Sequence, residues 1–222
     1  MNLGVEDLRA LTHLSDTGLL TLFGRAKDSR EAEVIDDPTA ERIVDALTPV
    51  LARSDRPMHQ RLAHGKVAPQ LAAYMGLRAR HFDDRALDFF SRRGEAVVVN
   101  MGCGLDSRFH RLRARLGDRL ESAAFELIDV DLPGVIEVKR RVLPPEPGYR
   151  QLAADVTKLS WLDELPWSRP MIFLAEGLLM YLPPEAVRAL VVQLRARAPG
   201  CELVARCSTG AGSRAGAVGW CA

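Results

Sequence analysis

The stretch Ala96-Val97-Val98-Val99-Asn100-Met101-Gly102-Cys103-Gly104-Leu105-Asp106-Ser107-Arg108 limits what this chain can fold into more than any other. Its apolar start, three residues of it β-branched, is too hydrophobic for a half-exposed sheet and predicts a central parallel strand buried on both faces. The strand stops at a Gly-x-Gly turn, where Gly102 and Gly104 open backbone angles closed to other residues and let a ligand approach the main chain. A helix follows, with Asp106 or Ser107 as its expected cap.

A second strand, Phe125-Glu126-Leu127-Ile128-Asp129-Val130-Asp131, has acids at its carboxyl end, where a carboxylate can accept both hydroxyls of a ribose. Tyr149 to Ala154 predicts a third strand, with Asp155 and Val156 beyond it suited to an adenine amino group and ring face. Capping of a helix is an equally ordinary use of Asp155. Met171 to Glu176 predicts a fourth strand, apolar until Glu176, and a carboxylate there must be hydrogen-bonded or face a crevice. Cys201 to Cys207 predicts a fifth, Val135 to Leu143 a crossover helix, and a further helix is expected to start at Pro183-Pro184-Glu185 and end at Pro199-Gly200. The fold class is α/β, a Rossmann-like sheet with an N-terminal helical cap.

The cap is read as residues 1–93, the core as 94–207 and a Gly/Ala/Ser-rich tail, 208–222, as poorly ordered. Within the cap, Asp36-Asp37-Pro38-Thr39 separates two helical runs, with either aspartate as cap and Pro38 in the first helical position. Two further helical segments are predicted, one through Leu62 to Leu77 and one from Phe82 to Ser91. Arg78, Arg80, His81, Asp83, Asp84 and Arg85 form a charged cluster, either a solvated face or a source of a guanidinium for a ligand carboxylate. Arg108, Arg111, Arg113, Arg115 and Arg119 line the face of the next helix opposite Phe109, Leu112 and Leu116.

At 222 residues with a formal net charge of +1, the chain has room for one α/β domain and no global field to gather nucleic acid or an anionic membrane. No apolar run is long enough to cross a bilayer and the first residues do not resemble a secretion signal, so a cytoplasmic location is expected. Four cysteines, one inside the glycine turn, make no disulfide framework, and His59 and His64, five apart, make no metal pair. His13 and His110 are read as packing or surface residues.

Three further stretches complete a pattern: Asp129-Val130-Asp131-Leu132-Pro133-Gly134-Val135-Ile136, Ala175-Glu176-Gly177-Leu178-Leu179-Met180-Tyr181-Leu182, and the pair Asp36-Asp37-Pro38 with Arg78-Ala79-Arg80-His81-Phe82-Asp83. With the glycine turn they resemble the leucine carboxyl methyltransferase family, and within it bacterial O-methyltransferases of the tetracenomycin polyketide-synthesis type. The resemblance implies an S-adenosyl-L-methionine cofactor and a small-molecule methyl acceptor, polyketide-like, taking the group on a carboxyl or hydroxyl oxygen. It implies that Gly102 and Gly104 line the methionine part, Asp131 holds the ribose, Asp155 and Val156 the adenine, and Glu176 and Tyr181 border the transfer crevice. Arg80, with Arg78 as the alternative and Arg25 assisting, would face the methionine carboxylate. Members of that family continue past the fifth strand through a helix and a closing pair of strands, so their absence here leaves a non-catalytic or shortened homologue as the rival expectation. An open sheet edge would favour self-association, which leaves a homodimer open. A nicotinamide dehydrogenase shares the strand and turn but needs a third glycine where Ser107 stands.

Overall fold

The computed structural model describes residues 14–117 and 125–206. The residues divide into two compact units, neither continuous in sequence: 14–83 with 104–115 and 134–144, and 84–103 with the described parts of 116–133 and 145–206.

The first unit holds the helices α1 (Asp16–Glu31), α2 (Pro38–Leu51) and α3 (Pro57–Ala63), the larger part of α4 (Pro69–Arg93), and nearly all of α5 (Arg108–Leu116) and α6 (Pro133–Val142). The Asp-Asp-Pro break behaves as expected: Asp37 caps α2 by accepting from the amide of Ala40 at 2.9 Å, and Pro38 opens the helix. Leu19, Leu22, Ile43, Leu47 and Leu51 are buried at helical spacing. Helices α1 and α4 approach closely because glycines sit at the crossing. A Cβ at Gly24 would lie 3.0 Å from the Met75 side chain, and one at Gly76 only 2.3 Å from the Asp28 carboxylate. In place of two segments meeting after Leu77, α4 is one helix: nothing between Leu77 and Phe82 breaks it, and Ala72, Met75, Ala79, Phe82 and Ala86 keep one buried face throughout.

The second unit is built on a parallel sheet of β1 (Ala96–Met101), β2 (Phe125–Asp131), β3 (Tyr149–Ala153), β4 (Met171–Ala175) and β5 (Glu202–Ala205), in the order β3-β2-β1-β4-β5. The chain reverses direction of travel across the sheet between β1 and β4, the place where open α/β sheets take ligands. Every residue of β1 is buried, as its apolar run requires. Val97, Val99, Met101, Ile128, Val130 and Phe173 form a core with Trp161 and Leu162 from the short 3-10 turn Leu159–Glu164 and Leu190 and Leu194 from α7 (Pro184–Arg197). Phe90 meets Phe125 edge-on at 5.9 Å.

The expected division into a cap, 1–93, and a core, 94–207, differs from this partition, because α5 and α6 group with the N-terminal helices. For α5 the cause is visible in its first turn, whose arginines are tied to Asp37 and Asp83. The expected tail lies outside the described residues, as do His13, Arg119, Cys207 and Cys221.

Candidate functional site

Strand register brings the predicted carboxyl-end residues of the second unit to one edge. Met101 pairs with Val130 and Asp131 with Ala153, while Ala175 pairs with Ala205. The backbone amide of Gly102 donates to the Val130 carbonyl at 2.8 Å, so the turn after β1 folds onto the residue next to Asp131. The Asp131 carbonyl in turn accepts from the Ala154 amide at 2.8 Å, which ties the acid to the segment carrying Asp155.

Gly102 has φ +64°, and a Cβ there would lie 3.0 to 3.3 Å from the Leu178 side chain, so the turn needs glycine for its backbone and for packing. Asp131 is half-buried, and one of its oxygens accepts from the Leu132 amide at 2.8 Å. Leu132 is 52% exposed. Asp155, also half-buried, accepts from both the hydroxyl (2.7 Å) and the amide (3.0 Å) of Thr157. Those two bonds hold its carboxyl below the ordinary value and close a local turn, but they do not cap a helix, since the 3-10 segment that follows has no side-chain cap. Val156 is buried, and its carbonyl accepts from the Trp161 indole at 3.3 Å. Glu176 is half-buried at the end of β4, and Tyr181, in the 3-10 turn Leu179–Tyr181, is 66% exposed. Cys103 is a buried free thiol, in keeping with a packing role.

One feature of this edge went unread in the sequence. Asn100 donates to Asp129 at 2.8 Å, Tyr149 donates to the other oxygen of Asp129 at 2.6 Å, and Gln151 donates to the Tyr149 hydroxyl at 3.0 Å, all buried. Asn100, Asp129 and Gln151 are register partners, so a polar rung crosses three strands just before their ends. A buried network of this kind fixes register. The available signal was Asn100, the lone polar residue of the apolar strand β1.

The remaining predicted residues lie in the first unit. Gly104 has φ +49°. Arg80 is exposed, and its charge only partly offsets the burial that pushes the Asp28 carboxyl up. Arg78 stands over the Tyr74 ring at 5.9 Å and reaches the Thr21 hydroxyl at 3.5 Å. Arg25 is buried and committed within the chain: its guanidinium lies 3.6 Å from Asp37 and 3.5 Å from Asp106 and donates to the Leu105 carbonyl at 3.3 Å.

The charged clusters of the sequence also sort differently from a solvated face. Asp83 is buried and takes Arg108 at 2.8 Å and Arg111 at 2.7 Å. Arg108 and Arg111 are buried too, whereas Arg113 and Arg115 are exposed, so the expected arginine stripe is half core. The expected cap of α5 is likewise modified: the Ser107 carbonyl accepts from His110 and Arg111, but its hydroxyl donates to Asp37. A separate cavity of about 550 Å³ lies among α1, α2 and α3, floored by Phe23, Val44, Leu62 and Val67. Its cations are paired, Lys27 with Glu31 and Arg30 with Asp45, and no strand-end acid lines it. The strand-end edge is therefore the better candidate site. Among the described residues no group of His, Cys, Asp or Glu is arranged to hold a metal ion, and no helix is long and apolar enough to cross a membrane.

The family model for leucine carboxyl methyltransferase matches residues 18–195. A tetracenomycin polyketide synthesis O-methyltransferase from Streptomyces glaucescens is 36% identical over 173 residues, covering 78% of this chain and 57% of its own. An S-adenosyl-L-methionine-dependent methyltransferase from Gibberella zeae is 31% identical over 197 residues, covering 82% and 60%. The chain thus spans about three-fifths of the length of these curated relatives. A solved Thermobifida fusca structure, assigned as a methyltransferase, shares the fold with a TM-score of 0.53 at 22% identity, covering 78% of this chain and 67% of that one.

Proposed function

Since the chain belongs to the leucine carboxyl methyltransferase family, we propose that it binds S-adenosyl-L-methionine at the carboxyl ends of β1, β2 and β3 and transfers the methyl group to an oxygen of a small molecule. The observation that carries this reading is the tie from Gly102 through Val130 to Asp131, which sets the glycine turn after β1 beside a half-buried carboxylate.

The donor set suits the ligand. Asp131 offers acceptors to a pair of ribose hydroxyls, Leu132 and Val156 offer apolar surface to a purine, and Asp155 offers an acceptor to its amino group. When bound, the cofactor supplies a methyl carbon already activated by a sulfonium. The chain's task is then orientation, and holding the acceptor oxygen in line is worth on the order of 7 to 11 kcal/mol. Glu176 and Tyr181 would border the acceptor. A carboxylate acceptor arrives deprotonated and needs no base, whereas a hydroxyl acceptor calls for one, and no residue is assigned to that role. The name of the Streptomyces glaucescens relative favours an acceptor of the polyketide type. The roles of Gly104, Arg78 and Arg80 toward the amino-acid end of the ligand rest on motif alone.

Calorimetry with S-adenosylhomocysteine tests the binding step. The folded protein should give a saturable isotherm, and Asp131→Ala should weaken it by at least about tenfold. No heat from a folded sample, or an isotherm untouched by Asp131→Ala, contradicts the assignment.

A further inference from the structure

We infer that the buried cluster of Asp37, Asp83, Asp106, Arg25, Arg108 and Arg111 positions the turn Gly104–Ser107 and thereby sets how tightly the chain holds its nucleoside ligand; the second half rests on the methyl-donor reading. The cluster brings together three carboxylates and three guanidinium groups, all buried, from α1, the cap of α2, α4, the turn and α5. Its formal charges cancel, so it is no anion site in its own right.

Its grip falls on three consecutive turn residues. The Leu105 carbonyl accepts from Arg25 at 3.3 Å. The Asp106 carboxylate takes Arg111 at 2.8 Å and Arg108 at 3.2 Å. The Ser107 hydroxyl donates to Asp37 at 2.6 to 2.7 Å and accepts from Arg111 at 3.2 Å. Arg111 is the hub, since it also forks onto both oxygens of Asp83 at 2.7 and 3.1 Å. Buried ion pairs are often no more stabilising than apolar side chains of equal volume, so their use here points to orientation. What they orient is the stretch that directly continues the glycine turn, and ligand affinity depends on such backbone being held before the ligand arrives.

The test uses the full chain with Ser107→Ala, which keeps all six charges, and Asp37→Asn, which removes one. Amide hydrogen exchange is read over residues 102–110 without ligand, with strand residues 125–131 as internal reference, and S-adenosylhomocysteine affinity is read by calorimetry. Both variants should exchange about tenfold faster in the turn with the strand unchanged, and bind about tenfold more weakly. Equal acceleration in turn and strand marks a merely structural cluster and overturns the inference, as does an unchanged turn. A faster turn with unchanged affinity overturns its ligand half. If wild type binds no S-adenosylhomocysteine the methyl-donor reading fails by itself, and turn exchange alone then decides the positioning role. If Asp37→Asn does not fold, Ser107→Ala decides.

Discussion

Gly102 concentrates the demands that a single residue meets at the strand-end edge. It adopts φ +64°, and the Leu178 side chain stands where its Cβ would go. Gly102→Ala should therefore lower unfolding free energy by about 1–3 kcal/mol. Gly177→Ala, with nothing within 4 Å of the added carbon, should change it by less than about 0.5 kcal/mol. Chemical denaturation of the two variants beside wild type checks the contrast. The turn at Gly102 was legible because glycine is the residue type that suits such a backbone angle. Asp83 was not legible in the same way. Six ionisable residues between Arg78 and Arg85 fit a wet helix face, yet Asp83 follows Phe82 and shares its phase with Ala79 and Ala86, all buried. Periodicity marked the inward face correctly, but only the arginines of a distant helix make a carboxylate tolerable there.

At the level of elements, α1, α2, α4 and α5 are bound by charges in place of a purely apolar seam. Asp83→Ala leaves Arg108 and Arg111 short of a buried partner and should cost about 3–5 kcal/mol. In a chain of this size that lowers the melting temperature by roughly 10 °C, readable by circular dichroism. Acid should attack the same seam. Burial alone would raise the Asp37 carboxyl, but Arg111, Arg25 and the Ser107 hydroxyl hold it below its ordinary 3.8. Burial likewise opposes ionisation of Asp106, and Arg108, Arg111 and Arg25 hold it well below 3.8. A carboxyl whose value is lowered on folding contributes stability in full above about 3.8 and loses it as pH falls toward the lowered value. His59 acts in the same direction from a higher pH, because burial and Arg56 keep it below 6.5 and the folded state resists its proton. The urea midpoint should thus slip slightly below about pH 6.5 and fall steeply below about pH 4. A midpoint that rises on acidification would show that the cluster is not ionised in the folded state.

For the molecule as a whole, ligand linkage gives the broadest prediction. S-adenosylhomocysteine at one hundred times its dissociation constant should add about 2.7 kcal/mol of stability. The melting temperature should then rise by roughly 5–10 °C, and NADH at equal concentration should leave it unchanged. The sheet was readable strand by strand, since buried parallel strands announce themselves as apolar runs ended by glycine or acid. The grouping of α5 with the N-terminal helices was not, because it depends on pairs such as Arg111 with Asp37, distant in sequence and unmarked by any local pattern.

The most direct measurement is a crystal structure of the chain with S-adenosylhomocysteine. It should show the ribose hydroxyls on the Asp131 carboxylate and the adenine against Val156, with the main chain at Gly102 facing the amino-acid tail. A ligand bound elsewhere, or one that leaves Asp131 untouched, would contradict the assignment of the strand-end edge as the site.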